Sequence, residues 1–105
     1  MRRKKTLAKS LGSRLTAALV MRLYVANSAP NSLLAIANLQ IICDEFLQDN
    51  FKLEIVDVLE EPLRALADGI LVTPSLAKLA PSPIAKIVGN LSDKSSVMRA
   101  LGIRG

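Results

Sequence analysis

The segment Leu71-Val-Thr-Pro-Ser-Leu-Ala-Lys-Leu-Ala-Pro-Ser-Pro-Ile-Ala-Lys-Ile-Val-Gly89 constrains the architecture of this 105-residue chain more than any other. Its apolar residues are typical of a protein core, yet it contains Pro74, Pro81 and Pro83. Proline fixes φ and removes a backbone donor, so a central strand does not accommodate it. We therefore predict two short strands, over residues 70–72 and 85–88, that are antiparallel if the proline-containing loop joins them.

Two strands and a helix are predicted ahead of this segment. Residues 21–26 are rich in strand formers, and residues 51–58 alternate apolar and charged side chains as a half-buried strand does. Between them we expect a helix to about residue 48, because apolar residues recur at three- and four-residue spacing. The buried stripe comprises Ala35, Ile36, Leu39, Ile42, Cys43 and Phe46. Leu34 and Ile41 fall outside the stripe and are expected to be exposed.

Two further helices complete the predicted order. Pro62 can begin a short helix that ends at Gly69. Ser92 can cap a final helix through Leu101, with Gly102 as its stop. The order is then βαβαββα, and the first crossover should be right-handed with parallel strands. We predict a thioredoxin-like α/β fold, with a mixed sheet and helices on both faces.

The residues that carry most enzyme chemistry are missing. The chain has no histidine and one cysteine, which excludes a histidine triad and an internal disulfide and nearly excludes a zinc site. In thioredoxin-like enzymes, a Cys-x-x-Cys at the start of the first helix supplies a reactive thiol. The corresponding stretch here is Ser28-Ala-Pro-Asn31, and Cys43 lies about four helical turns beyond it. We predict no catalytic residue, metal or cofactor.

Members of the thioredoxin-like fold place a cis proline before the third strand. The Thr73–Pro74 bond is either that cis bond or a trans bond in an ordinary turn.

Positive charge is concentrated near the N-terminus. Residues 1–22 hold seven of the 14 basic residues and no acid, whereas residues 23–105 hold seven bases and all nine acids. We interpret residues 1–20 as a flexible basic extension and residues 21–105 as one domain. A targeting signal is the alternative, but arginines bracket its short apolar stretch. No apolar run reaches transmembrane length, and no aromatic residue sits in a basic cluster. Neither a membrane nor a nucleic-acid partner is predicted, and the expected location is the cytoplasm.

Several stretches together resemble the KaiB family of circadian clock proteins. They are Leu23-Tyr-Val-Ala26, Pro30-Asn-Ser32, Ile55-Val-Asp-Val-Leu59, Pro62, Ile70-Leu-Val-Thr-Pro-Ser-Leu-Ala-Lys78 and Lys86-Ile-Val-Gly-Asn-Leu-Ser-Asp93. The resemblance runs from about residue 21 to residue 102. Its most specific part is Thr-Pro-x-Leu-Ala-Lys, followed by a proline-rich step and Ile-x-Gly-x-Leu-Ser.

The resemblance implies a non-enzymatic bacterial regulator that binds the ATPase ring of KaiC and modulates its phosphorylation and ATPase cycle. KaiA or a sensor histidine kinase would be further partners. It also implies a metamorphic chain, with a homo-oligomeric state (tetramer or dimer) of order βαββααβ and a thioredoxin-like monomer that binds KaiC. Lys78 and Lys86 match basic residues of the family and, with Asn31, are the predicted partner-binding residues. Leu34 and Gly69 stand where the family has bases, which weakens the case for KaiA more than for KaiC.

The same resemblance assigns a set of residues to the half of the chain that refolds. They are Pro74, Pro81, Pro83, Ala100 and Gly102. The prolines either take part in refolding or only shape a loop. Family members usually read Gly-x-Asp where this chain has Ala100-Leu101-Gly102, and alanine favours the helix of the thioredoxin-like form. Three other functions stay open: a family paralogue in stress adaptation, a redox-inactive thioredoxin-like interaction module, and, last, an RNA or membrane binder.

Overall fold

The structure, a computed structural model, describes residues 18–103. Its elements are β1 (Leu19–Val25), α1 (Pro30–Ile42), β2 (Phe51–Asp57), α2 (Pro62–Ala67), β3 (Ser75–Ala80), β4 (Ala85–Val88) and α3 (Lys94–Leu101). This is the predicted βαβαββα order. A π-helical turn over Cys43–Leu47 continues α1, so helical backbone ends close to the predicted residue 48. The first strand begins inside the predicted extension, and residues 1–17 of that extension lie outside the described part of the chain.

One mixed sheet organises the domain, with the strand order β2-β1-β3-β4. β1 runs parallel to β2 and antiparallel to β3, and β3 and β4 form an antiparallel hairpin. In this register Leu23 lies between Ile55 of β2 and Leu76 of β3. Parallel β1 and β2 joined through α1, followed by an antiparallel hairpin, confirm the predicted thioredoxin-like sheet.

The main core lies on the sheet face that α1 and α3 cover. Every second residue of β1 points into it, and Leu23 is completely buried. Four residues of the predicted α1 stripe belong to the buried cluster, namely Ala35, Leu39, Ile42 and Cys43. The other two, Ile36 and Phe46, are half-buried and pack against it. Leu34 and Ile41 are exposed, as predicted.

The opposite face of the sheet is covered over only part of its area. Tyr24, Val56 and Ala77 form a small buried cluster there. α2 is joined to this face by Arg64, whose Nη2 donates to Oε1 of Glu54 at 2.6 Å. Helices therefore lie on both faces, as the sequence predicted. Across residues 18–103, no helix combines the length and apolarity that crossing a membrane requires.

The predicted strand over residues 70–72 is wrong. The third strand is β3, which begins after Pro74 instead of ending before it. Leu71 is 91% exposed and finds no partner strand, whereas Leu76 enters the main core at 1% exposure. Pairing of β3 with both β1 and β4 satisfies its backbone groups, and the proline lies at the boundary, where its missing N–H costs no ladder bond.

The predicted cap of the final helix is also wrong by one residue. Asp93, not Ser92, is the N-cap, and its carboxylate accepts a hydrogen bond from the backbone N–H of Ser96 at 3.2 Å. Hydrogen bonds from Ser96 lower the pKa of Asp93, and negative charge is favourable at a helix N-terminus. At the other end, Gly102 has φ 77° and terminates α3 as predicted.

Two leucines of α1 provide a stability test of this core. Leu39→Ala removes a fully buried side chain and should lower the free energy of unfolding by about 2–5 kcal/mol. Leu34→Ala is the matched control on the exposed side of the same helix and should change it by less than about 0.5 kcal/mol. Urea unfolding followed by circular dichroism measures both. Equal losses in the two variants would show that α1 packs by a different face.

Candidate functional site

The start of α1 occupies the position of the thioredoxin thiols. Ala29 is its N-cap, Pro30 is its first residue, and no side chain caps it. Ser28 and Asn31 are exposed on either side of these two residues. The Thr73–Pro74 peptide bond is cis and directly precedes β3, which is the first of the two alternatives that the sequence left open. The polypeptide therefore keeps the thioredoxin arrangement and presents a hydroxyl and an amide where thiols would stand.

Cys43 lies far from this position in a different environment. Its side chain is buried in the main core at 1% exposure. Burial raises the pKa of the Cys43 thiol to about 11, with a further contribution from the negative charge of Asp44. The thiol is protonated at neutral pH, and a protonated thiol is a poor nucleophile. Cys43 is a core residue, as its place in the predicted stripe indicated.

Asn31 contacts the loop that connects β4 to α3. Its Oδ1 accepts a hydrogen bond from Nδ2 of Asn90 at 3.5 Å. About two helical turns further along α1, Nδ2 of Asn38 donates to the backbone carbonyl of Asn90 at 2.8 Å. The exposed Asn31 side chain thus belongs to a polar contact that joins α1 to this loop.

Lys78 and Lys86 lie on opposite faces of the sheet. Lys86 pairs with Ala77, and paired residues on neighbouring strands point to the same face. Lys78 is the next residue after Ala77, and successive side chains of a strand alternate between faces. Lys78, which pairs with Met21 and Ala85, therefore points to the other face. Lys78 is 5% exposed, and its Nζ lies 3.6 Å from where a Cβ on Gly102 would be. Lys86 is exposed. The structure therefore does not bring these two predicted binding residues onto a single surface.

The residues assigned to refolding are spread over three elements. Pro74 is buried next to β3, whereas Pro81 and Pro83 are exposed in the loop between β3 and β4. The bonds preceding Pro81 and Pro83 are also cis. Ala100 is half-buried within α3, and Gly102 ends that helix. All five lie in the C-terminal half of the chain, but they do not converge on one site.

A polar network that sequence reasoning missed lies on the partly covered face. The hydroxyl of Tyr24 donates to Oδ2 of Asp68 at 2.6 Å, and Nη1 of Arg22 lies 3.4 Å from the same oxygen. Nε of Arg22 donates to Oε1 of Glu54 at 3.0 Å, and this oxygen also accepts from Arg64. Burial and the hydrogen bond to Asp68 raise the pKa of Tyr24, whereas the two arginines lower that of Glu54, with Arg64 the larger cause.

An open groove of about 420 Å³ borders this network on the same face. Its wall combines polar and charged side chains with aliphatic ones. Its lining residues are Arg22, Tyr24, Asp68, Ile70, Ala77, Lys78, Leu79, Ile84, Ala85 and Lys86. Over the described range, 18 to 103, no three potential metal-ligating side chains come together, in this groove or elsewhere. The alternation of β1 places Arg22 and Tyr24 side by side, but their partners come from distant segments.

Comparison with solved structures supports the fold. The N-terminal domain of SasA from Synechococcus elongatus superposes with a TM-score of 0.67 at 21% identity, covering 83% of this chain and 86% of that domain. Chloroplastic thioredoxin z superposes with a TM-score of 0.70 at 20% identity, covering 93% of this chain and 86% of that one. At such low identity these likenesses establish a thioredoxin-like fold.

Comparison of sequences establishes the family. The KaiB domain profile matches residues 22–103. The circadian clock protein KaiB3 of Synechocystis sp. is 44% identical over 85 residues, which cover 81% of this chain and 83% of that protein. The circadian clock oscillator protein KaiB of Microcystis aeruginosa is 44% identical over 84 residues, covering 80% of this chain and 81% of its own. Because the matched region takes in most of β1 and every later strand and helix of the described residues, the chain belongs to the KaiB family of circadian clock proteins.

Proposed function

We propose that this protein is a non-enzymatic regulator that binds the ATPase ring of a KaiC protein in the cytoplasm and modulates its phosphorylation and ATPase cycle. The observation that carries the proposal is the family match, which spans residues 22–103 and thus nearly all of the described domain. The chemistry of the α1 start supports it, since Ser28 and Asn31 cannot perform thiol exchange. Without a reactive thiol at the start of α1, the exposed surfaces of the domain remain available for binding a protein.

Lys86 is the better supported of the two lysines as a partner contact. It is exposed on β4 and forms no ion pair with any residue between 18 and 103. Lys78 offers little surface to a partner, because it is 5% exposed and its side chain lies on the opposite face. We therefore assign the charged contact to Lys86 and retain Asn31 as a second, separate contact. KaiA or a sensor histidine kinase would compete for or extend the same interaction.

Fold switching is the second part of the proposal. In the family resemblance, the C-terminal half refolds between an oligomeric state and the thioredoxin-like monomer. Ala100 lies inside α3, where alanine stabilises helix relative to glycine by about 1 kcal/mol. Gly102 adopts a left-handed conformation that glycine accepts without strain. Both residues favour the thioredoxin-like state, so we propose that the free protein populates it more than typical members do.

The first prediction concerns thiol chemistry. Insulin reduction by the protein should not exceed that of a Cys43→Ser variant, because Ser28 and Asn31 occupy the thiol positions and Cys43 is buried. A turbidity assay with dithiothreitol as the electron source measures this. Turnover that disappears in the Cys43→Ser variant would show that the buried thiol is catalytic.

The second prediction tests the partner contact. Lys86→Glu should slow association with KaiC in the presence of ATP by about threefold or more at low salt, and the difference should shrink as salt screens the charge. Lys52→Glu is the matched control, since Lys52 is exposed on β2 at the other edge of the sheet. Surface plasmon resonance at two ionic strengths gives both rates. Unchanged association for Lys86→Glu would remove this residue from the interface, and absent binding by the parent would refute the proposed function.

The third prediction tests the preference for the thioredoxin-like state. Ala100→Gly should shift the ratio of the two folds by about fivefold toward the oligomeric one, since about 1.4 kcal/mol is tenfold. Ala37→Gly, in the exposed part of α1, should lower stability similarly without changing the ratio, because the N-terminal half does not refold. Sedimentation velocity and NMR spectra of the free proteins report the two populations. A wholly tetrameric parent that Ala100→Gly leaves unaltered would contradict the assignment.

A further inference from the structure

We propose that the groove on the partly covered face binds a small organic monoanion, a carboxylate attached to an apolar body. The carboxylate would lie between Arg22 and Lys86, and the body would lie along the apolar part of the groove. This inference concerns the chain alone and does not rest on KaiC binding.

A single cross-strand row builds the proposed anion position. Arg22 pairs with Glu54 on one side and with Ala77 on the other, and Ala77 pairs with Lys86. All four side chains therefore point to the same face of the sheet. Neighbouring strands lie about 4.8 Å apart, so the backbones of Arg22 and Lys86 are about 10 Å apart. The methyl group of Ala77 leaves a notch between the two cationic side chains.

The charge of the lining suits one negative charge. Of the three cationic residues in the lining, Arg22 and Lys86 have their side chains on this face of the sheet, together with one carboxylate, Asp68. The third, Lys78, has its side chain on the opposite face and is 5% exposed. Arg22 is shared between Glu54 and Asp68, whereas Lys86 has no ion-pair partner in the described chain. One unit of uncompensated positive charge thus faces the notch. A monoanion would complement it, and a dianion would be repelled by Asp68.

The rest of the groove suits an apolar body. Ile70, Leu79 and Ile84 contribute large aliphatic side chains to the lining, and Ile84 is 73% exposed. Covering such surface with an apolar group removes it from water, which is favourable. A volume of about 420 Å³ lies within the range of pockets for small molecules, which runs from about 300 to 1,000 Å³.

The polar wall is held in place before any ligand arrives. Tyr24 is 2% exposed, and its hydroxyl is fixed by the 2.6 Å hydrogen bond to Asp68. Asp68 follows α2 directly, and its backbone N–H donates to the carbonyl of Arg64. A wall that does not need to be ordered on binding avoids part of the entropic cost of association.

An NMR titration of the full chain tests the proposal with 4-phenylbutyrate as the probe. The backbone amides of Arg22, Ala77 and Lys86 should shift and saturate. The alcohol 4-phenyl-1-butanol has the same apolar body without charge and should bind about threefold to fivefold more weakly, which is the upper part of the range for an exposed ion pair. Butyrate, which lacks the ring, should also bind more weakly. Equal affinity of acid and alcohol, or shifts away from these strands, would overturn the proposal.

Three variants separate the two parts of the site. Lys86→Gln should reduce the affinity for the acid about threefold to fivefold and leave that for the alcohol unchanged, whereas Lys52→Gln should change neither. Ile84→Ser lies in an exposed loop and should weaken both ligands. If Lys52→Gln weakened binding of the acid as much as Lys86→Gln, the binding would be non-specific electrostatic attraction, and the proposal would be overturned. Groove amides that shift on dilution of the free protein would show a second copy on this face, which also overturns it.

Discussion

The central strand β1 is the element on which the remaining structure depends. It is hydrogen-bonded along both edges, to β2 and to β3, and its side chains are buried or half-buried on both faces. Leu23 lies in the main core at 0% exposure and its neighbour Tyr24 lies in the opposite cluster at 2%. A one-residue slip of β1 would exchange these two environments, placing a tyrosine among leucines and breaking its hydrogen bond to Asp68. The register of the whole sheet is therefore specified from its middle.

Sequence periodicity predicted the elements whose two sides differ. α1 shows a buried stripe and an exposed side, and β4 alternates half-buried and exposed residues, so both were found close to their observed bounds. β3 was missed because four of its consecutive residues, 75–78, are buried, and a strand covered on both faces does not alternate. The apolar residues 70–72 have strand propensity but are exposed or half-buried outside the sheet. Local pattern could not distinguish these two segments.

Some features of the candidate site follow from local sequence, and others require the tertiary structure. The absence of thiols at Ser28 and Asn31 is visible in the sequence, because their position relative to the first strand is local. The placement of Lys78 and Lys86 on opposite faces required the bounds of β3 and its pairing with β4. The bond between Tyr24 and Asp68 joins residues 44 positions apart. Such contacts follow from tertiary structure, and neither periodicity nor composition predicts them.

The buried stem of Lys78 beneath the end of α3 links two positions that are otherwise unrelated in sequence. Gly102 is left-handed, and a side chain there would begin 3.6 Å from the lysine Nζ. Aspartate is among the few residues that tolerate this backbone region. An acidic residue at position 102 would therefore strain the left-handed turn more than glycine does, but it would form a local ion pair with Lys78. The residue at position 102 can therefore change the electrostatic surroundings of Lys78 without altering any residue of the sheet itself.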